Sequence, residues 1–258
     1  DPARRFDDVF NLVYDPAFLA AAWNRVSGNK GGRTAGVDGI APRSVTPDRV
    51  ARQRPGRRES VKNREFVTAR LRQKSIPKAN GKVRSLGIPT MTDRIVQASL
   101  KLVLEPIFEA DFMPSSYGFR PRRRAQDAIA EIHFYASRGY VQVFEADITA
   151  CFDEIDHDAL MQRVRSRITD KRVLRLIRGF LKAGVLSEDG VYRDTFTGTP
   201  QGGILCPLLA NIALSVVDEH FQRKWDALGP QWSRTKHQRA GGATMKMVRY
   251  ADDFVVLV

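Results

Sequence analysis

The feature that most limits what this chain can fold into lies at residues 248–258. Val248-Arg249-Tyr250 and Phe254 to Val258 are largely β-branched, aromatic or aliphatic, and only Ala251-Asp252-Asp253 separates them. Such runs read as buried strands, so the short separation predicts a tight hairpin with two adjacent carboxylates at its tip. Asp is an ordinary turn residue, and a solvated turn would account for an isolated pair. The alternative is a metal site. Mg²⁺ keeps several waters and relies on one or two carboxylates plus substrate phosphates, so that reading requires a third acid and a phosphate-binding surface elsewhere.

The phosphate-binding surface is visible in the charge. The net charge is +13, and residues 49–84 alone hold thirteen Lys/Arg against Glu59 and Glu65, a local excess of +11. A concentration of this kind implies a polyanion partner, and the segment lacks the apolar stripe of a helix lying on a membrane. Nucleic acid is the expected partner. No apolar run is long enough to cross a membrane and no targeting segment is seen at the N-terminus. Cys151 and Cys206 have neither metal-ligand spacing nor the density of a disulfide scaffold, which fits a reducing cytoplasm. With 258 residues, 43% hydrophobic, the chain can bury one large core or two small ones.

Local signals place the elements. Asp15-Pro16 reads as an N-cap and first helical residue, opening a helix to Gly28. Asn29–Gly39 is a Gly-rich loop, Thr46-Pro47 starts a short helix, and Ser75–Arg84 reads as two strands around Asn80-Gly81 carrying Lys78, Lys82 and Arg84. A core helix is expected over Asp93–Phe108, then a loop, Ser115–Arg124, that interleaves Tyr117 and Phe119 with arginines, then a helix from Ala125 to about Ser137. Tyr117 and Phe119 read equally as core anchors or as platforms for stacked bases. Val141, Val143 and Phe144 form a strand reaching Asp147, and Asp156 caps a helix over 158–168. A further helix covers Lys171–Leu181, a hairpin turns at Glu188-Asp189-Gly190, and a Gly-rich loop from Gly198 leads into a long apolar helix. Gly229–Gly242 reads as a mobile basic loop. Strands and helices alternate without a βαβ rhythm, which predicts an α+β fold, an antiparallel sheet packed on helices.

If the strand ending at Asp147 neighbours the Asp252-Asp253 hairpin, the third acid is supplied. Three converging carboxylates can hold two Mg²⁺ ions for an in-line phosphoryl displacement, with Lys78 and Arg84 clamping a triphosphate.

The ordered blocks resemble the reverse-transcriptase domain of group II intron-encoded proteins, the intron maturases. Asn29–Gly39 is similar to the family's N-terminal extension block. Ile76-Pro-Lys, Gly81-Lys-Val-Arg84, Leu86-Gly-Ile-Pro89 and Asp93-Arg-Ile-Val-Gln97 are similar to the first fingers block, and Ser116-Tyr-Gly-Phe-Arg-Pro121 to the second. "ADITACFDEIDH", "TPQGGILCPLLANI" and "YADD" resemble polymerase motifs A, B and C.

The resemblance implies a right-hand polymerase: an extension block (1–45), fingers (46–139, with 169–200 partly connecting fingers and palm) and palm (140–258). It implies RNA-directed DNA polymerase activity with two Mg²⁺, Mn²⁺ being a substitute. Asp147, Asp252 and Asp253 take the catalytic positions, with the Ile148 carbonyl as a further metal ligand. Arg72, Lys78, Arg84, Phe152 and Gln201 face the incoming nucleotide, Phe152 lying under the sugar. Asn29, Lys30, Arg33, Lys82, Tyr117, Phe119, Arg120 and Arg122 are the expected nucleic-acid contacts.

Implied partners are an intron RNA template, a DNA or RNA primer and dNTPs, in a bacterial cytoplasmic ribonucleoprotein; homodimerisation stays open. Thr149-Ala150-Cys151 and Cys206 depart from the family pattern, and altered packing is expected there. The chain stops after motif C with no thumb, so a fragment of weak or no activity is expected. A splicing cofactor with incidental polymerisation, and a domesticated or CRISPR-associated relative, are the competing readings.

Overall fold

The computed structural model describes every residue except Pro2, Lys78, Ala79, Asn80, Lys82, Pro200 and Gln201; for residues 47–54 and Arg84 only the backbone is described. In chain order the helices are α1 (Phe10–Val13), α2 (Pro16–Gly28), α3 (Pro47–Lys62), α4 (Met91–Glu109), α5 (Ala125–Ala136), α6 (Cys151–Glu154), α7 (His157–Arg165), α8 (Lys171–Leu181), α9 (Cys206–Ala227) and α10 (Gln231–Arg239). The strands are β1 (Leu71–Pro77), β2 (Val83–Ile88), β3 (Val143–Asp147), β4 (Val185–Leu186), β5 (Tyr192–Arg193), β6 (Lys246–Tyr250) and β7 (Asp253–Leu257). They fall into two compact units, residues 1–110 with 152–209 and residues 111–151 with 210–258.

In the first unit α2 begins as its sequence requires. The Asp15 carboxylate accepts the N–H groups of Ala17 (2.8 Å) and Phe18 (3.4 Å), donors that the first turn leaves without partners, and Pro16 needs no N–H there. Leu19, Ala22 and Val26 then pack on Met91, Ile95 and Ala98 of α4, forming a core that Trp23 and Ile204 flank. Asp156 and Asp170 cap α7 and α8 in the same way. A four-stranded sheet runs β2-β1-β4-β5, antiparallel except for the β1–β4 pair.

The second unit holds a three-stranded antiparallel sheet, β3-β7-β6, against which α5 packs through β6 and β7. β6 is buried at Met247, Val248 and Arg249.

Two sequence expectations change. The helix starting at Thr46-Pro47 is not short: it spans sixteen residues and carries much of the basic run, with Pro55 inside it. The segment 229–242 is not a loop but contains α10, whose polar sequence offers no apolar period to read; Arg234 lies 4.2 Å over the Trp225 ring and Gln238 donates to Thr244 Oγ1 at 2.6 Å. β3 forms as expected up to Asp147, as an edge strand beyond the part of the sheet that α5 covers, with Val143 and Phe144 58% and 62% exposed.

Candidate active site

The carboxylates come together through a β-ladder. β3 pairs with β7 in the register Val143↔Leu257 to Asp147↔Asp253, so the last residue of one strand stands opposite the first of the other. Directly opposed residues project to the same face with Cβ atoms about 4.5–5.5 Å apart. Asp252 sits beside them in the turn between β6 and β7, half-buried, while Asp147 and Asp253 are exposed. Desolvation raises the Asp253 pKa above its ordinary value, and the neighbouring charges Asp252, Asp147 and Glu145 raise it further. Every charge acting on Asp253 in this way is negative. Glu145, absent from the sequence-based candidates, stands two residues before Asp147 on β3 and therefore on the same strand face.

This cluster fits Mg²⁺. Among the described residues no three His, Cys, Asp or Glu side chains form a ready-made metal cage. A hard cation that keeps its waters and shares substrate phosphates needs only one or two carboxylates, and mutual repulsion favours a cation among them. The Ile148 carbonyl accepts the N–H of Cys151 at 3.2 Å, which leaves one lone pair for a further contact.

What holds the turn in place is a residue the sequence reading passed over. Arg249, in the middle of β6, is fully buried. Its guanidinium donates to both oxygens of Asp218 (2.8 and 2.6 Å), to Asn211 Oδ1 (3.1 Å), to Ser116 Oγ (2.7 Å) and to the carbonyl of Ala251 (2.7 Å). Its backbone N–H donates to Ser115 O and its carbonyl accepts the Tyr117 N–H, both at 2.8 Å, so the Ser115–Tyr117 segment runs alongside β6. Ala251 itself takes φ +62°, the left-handed region that non-glycine residues seldom occupy, and the Arg249 bond to its carbonyl supports it. Gly118 lies against this turn: a Cβ there would stand 2.2 Å from the Ala251 nitrogen. The available signal was an arginine inside an apolar strand, which is tolerable only when paired, with Asp218 on the long apolar helix as its partner.

The other expected residues divide. Tyr117 donates its hydroxyl to Glu131, and burial followed by that bond raises its pKa; Arg123 lies 5.0 Å over its ring. Tyr117 is therefore an anchor. Phe119, with φ +58°, is half exposed, and Arg122 is exposed. Arg120, expected at nucleic acid, is buried and donates to the carbonyls of Met113 (2.7 Å) and Ser116 (2.8 Å). Cys151 and Cys206 are buried free thiols, and burial pushes that of Cys206 up to about 12, which suits a packing role.

In the first unit, β1 and β2 pair so that Arg72, Lys74 and Ile76 stand opposite Ile88, Leu86 and Arg84 on one face. Arg72 Nε is buried without a hydrogen-bond partner among the described residues. A cavity of about 370 Å³ opens between this face and the loop after α2, with Asn29, Gly32, Lys74, Arg94 and Ile204 in its wall. Asn29, Lys30 and Arg33 are exposed on that loop. Arg94, which the sequence reading also missed, fixes the loop by donating to the carbonyls of Pro89 (2.9 Å), Gly31 (2.9 Å) and Thr34 (2.7 Å). Burial holds its pKa below the ordinary value and Arg72 lowers it further, against the opposing effect of Asp38.

The Gly198–Gly202 loop needs its glycines. Gly202, at φ +113°, lies where a Cβ would meet the Gly87 carbonyl at 2.7 Å. Phe152 belongs to this unit; its side chain is half-buried and its carbonyl accepts the Thr199 N–H at 2.6 Å. Lys78, Lys82 and Gln201 lie outside the described residues.

Residues 76–258 match the reverse transcriptase (RNA-dependent DNA polymerase) family. The chain belongs to that family, whose activity is RNA-directed DNA polymerisation. Among its relatives, Protein YkfC of Escherichia coli K12 is 35% identical over all of this chain and 72% of its own length. The group II intron-encoded protein LtrA of Lactococcus lactis subsp. cremoris is 36% identical over 87% of this chain, which spans 38% of that protein. A chain of a partial Cas6-RT-Cas1–Cas2 complex superposes on 96% of this chain, and 38% of its own, with a TM-score of 0.58 at 22% identity, a likeness of fold. No helix among the described residues is long and apolar enough to cross a membrane.

Proposed function

We propose that this chain is the fingers and partial palm of a group II intron reverse transcriptase, binding intron RNA as template and in support of splicing and mobility. The observation that carries this reading is the register Asp147↔Asp253 with Asp252 at the adjoining turn, where Asp252, Asp147 and Glu145 all raise the Asp253 pKa. Asp147, Asp252, Asp253 and the Ile148 carbonyl are the groups that would hold two Mg²⁺ ions, whose chemistry there is charge neutralisation at an attacking 3′-hydroxyl and a leaving pyrophosphate. Arg72, Lys78 and Arg84 bind and orient the triphosphate, and the unpartnered Arg72 Nε supports this role. Phe152 excludes a ribose 2′-hydroxyl, Gln201 lines the nucleotide pocket, and Asn29, Lys30, Arg33, Lys82 and Arg122 contact RNA. Tyr117 and Arg120 act by holding the loop that abuts the Ala251 turn.

Primer extension on an RNA template tests the reading. In the full-length protein, Asp147→Asn or Asp252→Asn should abolish dNTP incorporation while leaving RNA affinity equal or slightly higher, because a negative charge near the phosphates is removed. Parental extension rates from either variant would overturn it. Phe152→Ala should raise rNTP incorporation relative to dNTP, and an unchanged ratio would reduce Phe152 to a packing residue.

A further inference from the structure

A groove in the first unit contains none of the residues assigned above. Its volume is about 580 Å³, and it lies along α7, α8 and the N-terminal segment. Met161, Ile168 and Leu174 are among its apolar lining residues, and Arg5, Arg165, Lys171, Arg175 and Arg178 supply its charge.

The charge follows from the pattern of α8. Val173, Leu176, Ile177, Phe180 and Leu181 are buried, which turns positions 171, 175 and 178 outward as one row at i, i+4 and i+7. The helix contains no acidic residue. Seven residues advance about 10 Å along a helix axis, roughly three nucleotides of one strand at 3.4 Å each.

The groove is also built rather than incidental. Phe6 donates its N–H to the Arg167 carbonyl at 2.8 Å, and its own carbonyl accepts the N–H groups of Thr169 (2.9 Å) and Asp170 (3.2 Å). This clamps the segment carrying Arg5 beside the α7–α8 connection. Within one helix the contrast is direct. Arg172 is saturated by Asp170 (2.8 Å) and Asp8 (2.7 Å), whereas among the described residues Arg178 has only an exposed contact with Asp158 at 3.5 Å. The side chains of Arg5, Arg165, Lys171 and Arg175 form no hydrogen bond or ion pair with other described residues.

We infer that this groove is a second RNA-binding surface, one that grips phosphodiester backbone without reading sequence. Its lining has no aromatic residue on which a base could stack, so recognition is confined to charge and to the apolar floor beneath the strand. The inference rests on the nucleic-acid partnership proposed above and deepens it.

Fluorescence anisotropy of the whole chain with a short labelled RNA hairpin, across a salt series, tests it. Lys171→Gln with Arg175→Gln removes two phosphate contacts. The slope of log K against log[salt] should become shallower by about 1.4–1.8, with affinity falling at least tenfold at low salt. Lys171→Glu with Arg175→Glu should weaken binding further. Circular dichroism melting confirms that each variant is folded. Unchanged slope and affinity in both pairs would make the row a solvated helix face. Polyglutamate competing as well as unlabelled RNA does would replace RNA with an acidic protein as the occupant. Binding is read without any incorporation step, so a failure of the polymerase reading leaves this result distinct.

Discussion

The hairpin junction around Arg249 and the outer face of α8 both depend on arginine, and they use it in opposite ways. At the junction one guanidinium, fully buried, meets five acceptors from three segments of chain. On α8 the guanidinium of Arg175 and the ammonium of Lys171 reach the surface without an acceptor among the described residues. A buried cation left unpaired costs several kcal/mol, so an arginine inside must be saturated by its own fold; one outside is solvated at little cost and stays available to a partner. The teaching is that a count of positive charge says less about binding than an account of where each donor goes. Arg94 and Arg120 belong with Arg249 by this test, although Arg120 sits in a run with Arg122, Arg123 and Arg124.

The contrast breaks most visibly at Arg249. Arg249→Met leaves Asp218 buried without its partner and removes the bond to the Ala251 carbonyl. Urea denaturation should show a loss of about 3–5 kcal/mol. A loss under about 1 kcal/mol would mean the network adds little to holding the turn.

Asp93 is a buried acid whose partners do not offset its desolvation. Thr90 Oγ donates to it at 2.5 Å and the Ala69 N–H at 3.3 Å, yet burial raises its pKa to about 6. The folded state therefore binds the proton more tightly than the unfolded state. That contribution is full below about pH 3.8, declines as pH rises towards 6 and is gone above it. Between those limits the parent should lose on the order of 2–3 kcal/mol relative to Asp93→Asn, as denaturation midpoints across pH would show. Parallel pH profiles of the two proteins would remove the assignment.

Gly118→Ala sharpens the comparison from the side of packing. The Cβ would collide with backbone rather than with a movable side chain, so a loss of about 1–3 kcal/mol is expected. Incorporation should fall further than that loss of folded protein explains, because the turn carrying Asp252 must shift. Primer extension on samples corrected for folded fraction checks this. The smallest effect is on the outer face, where Arg175→Gln should leave the denaturation midpoint within error of the parent while changing the salt slope of RNA binding.

Much of the scaffold was legible because local chemistry specified it. Asp15, Asp156 and the Glu188-Asp189-Gly190 turn each act where their sequence position places them. The hairpin around Asp252 was legible because two apolar runs so close together have few other solutions, although Asp253 begins a strand rather than completing the turn. The rest depended on tertiary context. α10 has no apolar face, so its helical state is set by Pro230 before it and by contacts such as that of Arg234 with Trp225. The exposure of Val143 and Phe144 could not be read from residues that ordinarily mark a core strand. Arg249 and Arg94 were hidden because a sequence shows a donor but not its acceptors, and theirs come from residues up to 133 positions away.

The register that pairs Asp147 with Asp253 makes the geometry of the acids digital. Side chains alternate faces along a strand, so a ladder offers whole steps and nothing between them. Altering the bulk of Phe144 or Val255 changes how the sheet packs and leaves the acids opposed. Deleting one residue within 143–147 sends Asp147 to the opposite face or opposes it to a neighbour of Asp253. Length variation is therefore tolerable in the connections before β3 and after α9, and forbidden within the ladder. A homologue with an insertion inside either strand should be suspected of having abandoned catalysis even when all three acids are present.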